Sequence, residues 1–135
     1  MDKAKTKRRD IHFYSEKNGK VICVHSAAQR AYAKELEADG TVLSYEACVE
    51  LDKERYIYVN PIDIRKGYFE TDWATDFLVR FADGREAVRE LSSMESLGKR
   101  ADLEKLEFSR RYWASQSVAG WKVVLMEKGE QAYVL

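Results

Sequence analysis

Apolar residues along the chain follow two spacings, and the switches between them outline the elements. Ile11, Phe13, Val21, Ile22 and Val24 flank Lys17-Asn18-Gly19-Lys20, an extended pattern folded around a turn. From Ser26 the spacing becomes helical, with Ala28, Ala31, Tyr32 and Leu36 on one side. Ser26 suits an N-cap and Gln29 stands at the capping-box position, while Asp39-Gly40 ends the helix. Val42, Leu43, Tyr45, Cys48, Val49 and Leu51 predict an extended stretch, and Tyr56 to Val59 a second strand before irregular chain at Asn60-Pro61.

The central feature is a pair of extended runs, 74–81 and 85–91, separated by Ala82-Asp83-Gly84. This predicts a β-hairpin with a three-residue loop, in which Gly84 takes the left-handed third position. Such a loop pairs Phe81 with Arg85, sets Arg80 against Glu86, and places Asp76 opposite Glu90. A two-residue Asp-Gly turn would pair Arg80 with Ala87 and lose the charge match.

Residues 99–116 form the longest predicted helix, with Leu103, Leu106, Arg110 and Trp113 on one stripe and Phe108 and Tyr112 beside it. At this spacing Tyr112, Trp113 and Trp121 read as core rather than as a base-stacking surface. After Gly120, Trp121, Val123, Val124 and Leu125 predict a buried strand, and residues 131–135 a short edge strand. The order of elements is that of an α/β domain, a mixed sheet flanked by helices. With 135 residues, one proline and no repeat or linker, the expected organisation is a basic arm, 1–10, and a single domain, 11–135.

Lys and Arg number 23, as do Asp and Glu, so net charge does not point to nucleic acid. Its distribution is more informative. Lys3, Lys5, Lys7, Arg8 and Arg9 form one basic cluster, and Lys99, Arg100, Lys105, Arg110 and Arg111 another. Either can track phosphates, or simply be a solvated tail and a solvated helix face. No run approaches the ~20 apolar residues of a membrane span. The N-terminus MDKAKTKRRD lacks the apolar core of a signal peptide, so a cytoplasmic location without a membrane partner is expected. Cys23 and Cys48 read as buried thiols. With His12 and His25 they supply zinc-ligand chemistry, but no pair has the usual C-x2-4-C or H-x3-5-H spacing.

Asp76 and Glu90 carry the most chemistry. Like charges placed opposite each other repel, and a divalent cation between them removes that cost. Strand alternation puts Ser92 on the face of Glu90. A metal, two carboxylates and a nearby lysine are the parts of a phosphodiester hydrolysis site. Two solvated carboxylates paired with Arg80 or Arg89 are the plainer alternative.

Three segments then carry a family resemblance. They are Ser26-Ala27-Ala28-Gln29 with Leu36-Glu37 and Val42-Leu43-Ser44-Tyr45-Glu46; Thr75-Asp76-Phe77-Leu78-Val79 with Asp83-Gly84 and Val88-Arg89-Glu90; and Lys105-Leu106 with Ser109-Arg110-Arg111-Tyr112-Trp113 and Gly120-Trp121-Lys122-Val123-Val124. In order and spacing, over most of residues 26–125, they resemble the N-terminal catalytic domain of TnsA-type transposon endonucleases, which has small stand-alone and phage relatives. The resemblance implies a restriction-endonuclease-like PD-(D/E)XK fold and Mg²⁺- or Mn²⁺-dependent cleavage of DNA. It also brings a homodimer, or a partner protein of a phage or mobile element, into consideration.

Residue by residue, the resemblance implies that Asp76 and Glu90 hold the metal. The helix-one carboxylate falls on Gln29 and the catalytic lysine on Ser92. Gln29 keeps a neutral oxygen for a metal, and Glu35 or Glu37 is the alternative acid. Lys105 or Lys99 is the candidate replacement for the lysine. Lys7, Arg8, Arg9, Lys99, Arg100 and Arg110 are the expected DNA contacts. Loss of catalysis, leaving a DNA-binding or protein-assembly module, is the alternative that the two departures open.

Overall fold

The computed structural model describes residues 10–135; the arm residues Lys3, Lys5, Lys7, Arg8 and Arg9 lie outside the described residues. The elements are β1 (Ile11–Ser15), β2 (Lys20–Val24), α1 (Ala27–Ala38), β3 (Val42–Glu50), β4 (Ala74–Phe81), β5 (Glu86–Ser92), α2 (Met94–Leu97), α3 (Arg100–Ala114), β6 (Gly120–Glu127) and β7 (Glu130–Val134). β1 and β2 form a separate antiparallel ribbon, and the other five strands form one mixed sheet in the order β3-β4-β5-β6-β7. Among the described residues only β5 and β6 run parallel, as the crossover through α2 and α3 requires.

Apolar burial divides between the two faces of this sheet. On one, α1 and β2 bring Tyr32, Ala33, Leu36, Ile22 and Val24 against Phe77, Val79 and Val124. On the other, Phe108, Tyr112 and Trp113 of α3 meet Val88, Tyr56, Val59 and Ile64. This second cluster is aromatic: the Tyr56 and Phe108 rings lie edge to face with centroids 4.8 Å apart. No helix among the described residues is long and apolar enough to cross a membrane.

Three expectations are corrected. Residues 53–58 form a 3-10 helix, not a strand. Asp52 caps it by accepting from the Glu54 amide at 3.0 Å. Its three-residue period brings Tyr56 and Val59, three positions apart, onto the buried side. On α3 the buried face is Glu104, Phe108, Ser109, Tyr112 and Trp113. Leu103 is 45% exposed and Arg110 faces solvent, so the face is rotated by about one position from the expected stripe. The irregular segment 51–73 accounts for this, because its aromatics fill the space beside Phe108 while the Arg65 side chain and amide hold Glu104 at 2.9 Å. Neither cysteine is in a disulfide among the described residues, and both are half-buried rather than buried.

Candidate active-site cleft

The hairpin forms as the loop chemistry dictates. Gly84 has φ +91°, and the Phe81 amide donates to the Arg85 carbonyl at 2.8 Å. The ladder then pairs Arg80 with Glu86, Val79 with Ala87, Leu78 with Val88 and Phe77 with Arg89. Arg80 and Glu86 form an ion pair at 3.3 Å.

One step further the expected cross-strand pairing of Asp76 with Glu90 is not made, because the ladder opens at Asp76. Asp76 has no paired residue on β3 or β5, although Thr75 and Phe77 on either side pair with Val49 and Ala47. Cys48, between those partners, has φ 55°. An opened ladder re-aims side chains, and here two carboxylates replace the missing backbone acceptors. The Asp76 amide donates to Glu90 Oε1 at 3.1 Å, and the Leu91 amide donates to Asp76 Oδ2 at 2.8 Å. Asp76 and Glu90 are thus locked together by the backbone of the hairpin that carries them.

Glu90 is 5% exposed. Its Oε2 accepts from the Thr75 hydroxyl at 2.9 Å and from the Ser109 hydroxyl at 2.5 Å. Those hydroxyls are themselves oriented. Trp113 Nε1 donates to Thr75 Oγ1 at 2.7 Å, and Trp121 Nε1 donates to Ser109 Oγ at 2.9 Å. An indole N–H only donates, so each hydroxyl accepts from its tryptophan and turns its own hydrogen toward Glu90. Burial, and then the neighbouring charge of Asp76, push the Glu90 carboxyl up to about 8.

Asp76 is half-buried, and Gln29 reaches its other oxygen from α1, with Nε2 at 2.7 Å from Oδ1. Gln29 Oε1 meanwhile accepts from the His25 amide at 2.8 Å. These two contacts fix the amide orientation, because a flip would set oxygen against carboxylate and N–H against N–H. Gln29 therefore meets Asp76 with nitrogen, not with the oxygen expected of a metal ligand. The capping box is also only half formed: Ser26 Oγ accepts from the Gln29 amide at 3.1 Å, but the Gln29 side chain turns to His25.

The cleft beside these carboxylates has a volume of about 220 Å³. Asp76, Glu90, Ser92, Asp102, Lys105 and Ser109 line it, with Trp73, Phe108, Leu51 and Leu106 among its apolar neighbours. Lys105 enters from α3, with Nζ 5.2 Å from the centre of the Trp73 ring, close enough for a cation–π contact. Lys99 is not among the lining residues. Glu35 and Glu37 lie elsewhere: Glu35 accepts from the Gln131 amide at 3.2 Å, and Glu37 takes the Ser15 and Tyr45 hydroxyls at 2.5 Å each.

Of the expected DNA contacts, Lys7, Arg8 and Arg9 lie outside the described residues, and Lys99 is exposed. Arg100 is paired with Glu104 at 3.0 Å, and Arg110 with Glu107. Arg111 also reaches Glu107, at 2.7 Å, so two glutamates neutralise much of this helix face.

The sequence reading did not single out Thr75, Ser109, Trp73 or Asp102 as parts of the site. Ser109 had a readable signal, a hydroxyl among Phe108, Tyr112 and Trp113 that must find a partner when buried. The donor set suits a hard divalent cation, because one Glu90 oxygen and both Asp76 oxygens each accept only one hydrogen bond and retain a lone pair. A cation would also relieve the burial of Glu90 beside Asp76. No protein-family model matches the chain, and no curated protein matches it significantly.

Proposed function

We propose that the protein is a Mg²⁺- or Mn²⁺-dependent DNA endonuclease of PD-(D/E)XK type, with the cleft beside β4 and β5 as its active site. The observation that carries this reading is the convergence of Asp76, Glu90 and Lys105 on one cleft, with Glu90 buried among dedicated donors. Asp76 and Glu90 would hold the cation, whose chemistry when bound is to polarise a phosphoryl oxygen and lower the pKa of water. Lys105 supplies the positive charge that Ser92 lacks, facing the developing charge on a phosphate. Gln29 positions Asp76 by donating to Oδ1. Ser92 lines the cleft as a neutral hydroxyl that can donate to a phosphate oxygen.

Supercoiled plasmid incubated with Mg²⁺ or Mn²⁺ tests the reading. Nicking that disappears in Asp76→Ala is the expected result. Absence of nicking in the wild type, or nicking that survives Asp76→Ala, removes it.

A second reading has its own observation. Gln29 turns N–H rather than oxygen to Asp76, so the apo site is satisfied without a cation. A nuclease-type fold that binds DNA or another protein without cutting fits that arrangement. Salt-dependent DNA binding without cleavage supports its DNA-binding form, and absence of DNA binding leaves protein assembly.

A further inference from the structure

The β1–β2 ribbon brings together a second set of chemistry-bearing side chains, outside the cleft. Ile11 pairs with Val24 and His12 with Cys23. Side chains alternate, so Ile11, Phe13, Ile22 and Val24 share the face that packs on the first core cluster. Asp10, His12, Cys23 and His25 fall on the opposite face. An oxygen of Asp10, the Cys23 thiol and a ring nitrogen of His25 lie within 4.8 Å of one another. His25 Nδ1 is 3.0 Å from Asp10 Oδ1.

We propose that Asp10, Cys23 and His25 form a binding site for a borderline-soft divalent cation, Zn²⁺. Thiolate, imidazole and carboxylate are the three side-chain ligand types zinc takes, and a thiol in the set selects against Mg²⁺. Zinc–ligand bonds of about 2.0–2.3 Å in a tetrahedron require ligand atoms roughly 3.3–3.8 Å apart, so the thiol needs to approach the other two atoms by up to about 1.5 Å while the His25–Asp10 contact opens slightly. Among the described residues, the thiol gives up a long contact to the Val24 carbonyl, 3.8 Å. On binding, the Cys23 S–H proton passes to solvent and the sulfur lone pair goes to the metal. His12 lies across the ladder from Cys23 on the same face.

A charge-only account of this face explains the His25–Asp10 contact but gives the thiol no role. The metal account uses all three groups. It also gives the site a structural effect, since the cation would tie both strands of the ribbon to His25, the residue just before the N-cap of α1.

Co²⁺, which reports thiolate ligation through an intense near-ultraviolet charge-transfer band, is the probe. It is titrated into the full chain without an affinity tag. One equivalent should produce the band, and Zn²⁺ should displace it. Cys23→Ser should abolish the band, Cys48→Ser should leave it, and His25→Ala should weaken binding at least ~10-fold. Zn²⁺ should raise the Tm of the wild type but not of Cys23→Ser, with both proteins showing the same circular dichroism beforehand. No band, a band that survives Cys23→Ser, or a Tm rise shared by Cys23→Ser overturns the proposal. Plasmid nicking plays no part in these readouts, so they stand or fall apart from the nuclease reading.

Discussion

The two carboxylates of the cleft are held in different ways. Glu90 is buried and receives three donors, two of them hydroxyls aimed by tryptophans from α3 and β6. Asp76 is half-buried and receives two, one from the backbone and one from a glutamine on α1. Glu90 is set in the core of one face of the sheet, while Asp76 stands at an opening in the ladder. The contrast implies a division of labour, in which Glu90 is a fixed post and Asp76 the adjustable partner.

The largest effects should come from the carboxylates themselves. Asp76→Ala and Glu90→Ala should each lower Mn²⁺-dependent nicking by ~10³-fold or more, measured on supercoiled plasmid. Their stabilities should separate. Glu90→Ala leaves two buried hydroxyls and an amide without an acceptor and should cost ~2–4 kcal/mol in urea unfolding, while Asp76→Ala should cost about half as much. Equal losses would break the comparison.

Lys105→Ala should lower turnover by ~10²-fold, because one positive charge facing the developing phosphate charge is removed. Its side chain is exposed, so Tm should move little. Positioning residues come next. Ser109→Ala and Gln29→Ala should each weaken Mn²⁺ affinity by ~10- to 100-fold, read by calorimetry, with Trp121→Phe smaller because it acts through Ser109. Gln29→Glu sharpens the contrast further. It should lower stability without metal, by setting a third carboxylate against Asp76, and tighten Mn²⁺ binding.

The last effect concerns pH. The Glu90 carboxyl is raised to about 8 in the fold, above its ordinary value of 4.5. Between those values the folded state binds more protons than the unfolded one, so stability falls as pH rises through this window. Metal-free protein should lose Tm from pH 5 to 8 on this account, and saturating Mn²⁺ should flatten the slope. Glu104 has the opposite sign. Its hydrogen bonds from Arg65, and then from Arg100, hold its carboxyl down to about 2, so its contribution is full at neutral pH and disappears as pH falls toward 2. Glu104→Gln should lower Tm at pH 7 and change little at pH 2.

The difference between the carboxylates also marks what was legible in the sequence. That the hairpin brings Asp76 and Glu90 near each other followed from one glycine and a loop length, which are local; the opening of the ladder at Asp76, which removes the expected direct pairing, did not. The ends of α1 and the edge strand β7 were legible for the same reason. Thr75 and Ser109 were not, because what makes them functional is contact across 15 and 19 positions with Glu90. The 3-10 helix 53–58 and the rotation of α3 depend on each other's packing, so neither shows as a clean period. Gln29 was identified as a site position, but its direction was set by the His25 amide. Cys23 and His25 carried zinc-ligand chemistry in the sequence without finger-type spacing, and Asp10 was not legible beside them, because strand register rather than short sequence separation gathers the three.

The most direct measurement is anomalous diffraction from a crystal soaked in Mn²⁺. The account predicts a peak in the cleft within bonding distance of both Asp76 and Glu90, with Lys105 facing it and the Gln29 oxygen still on His25. A fully occupied soak with no peak there, or with Mn²⁺ held only elsewhere, would contradict it.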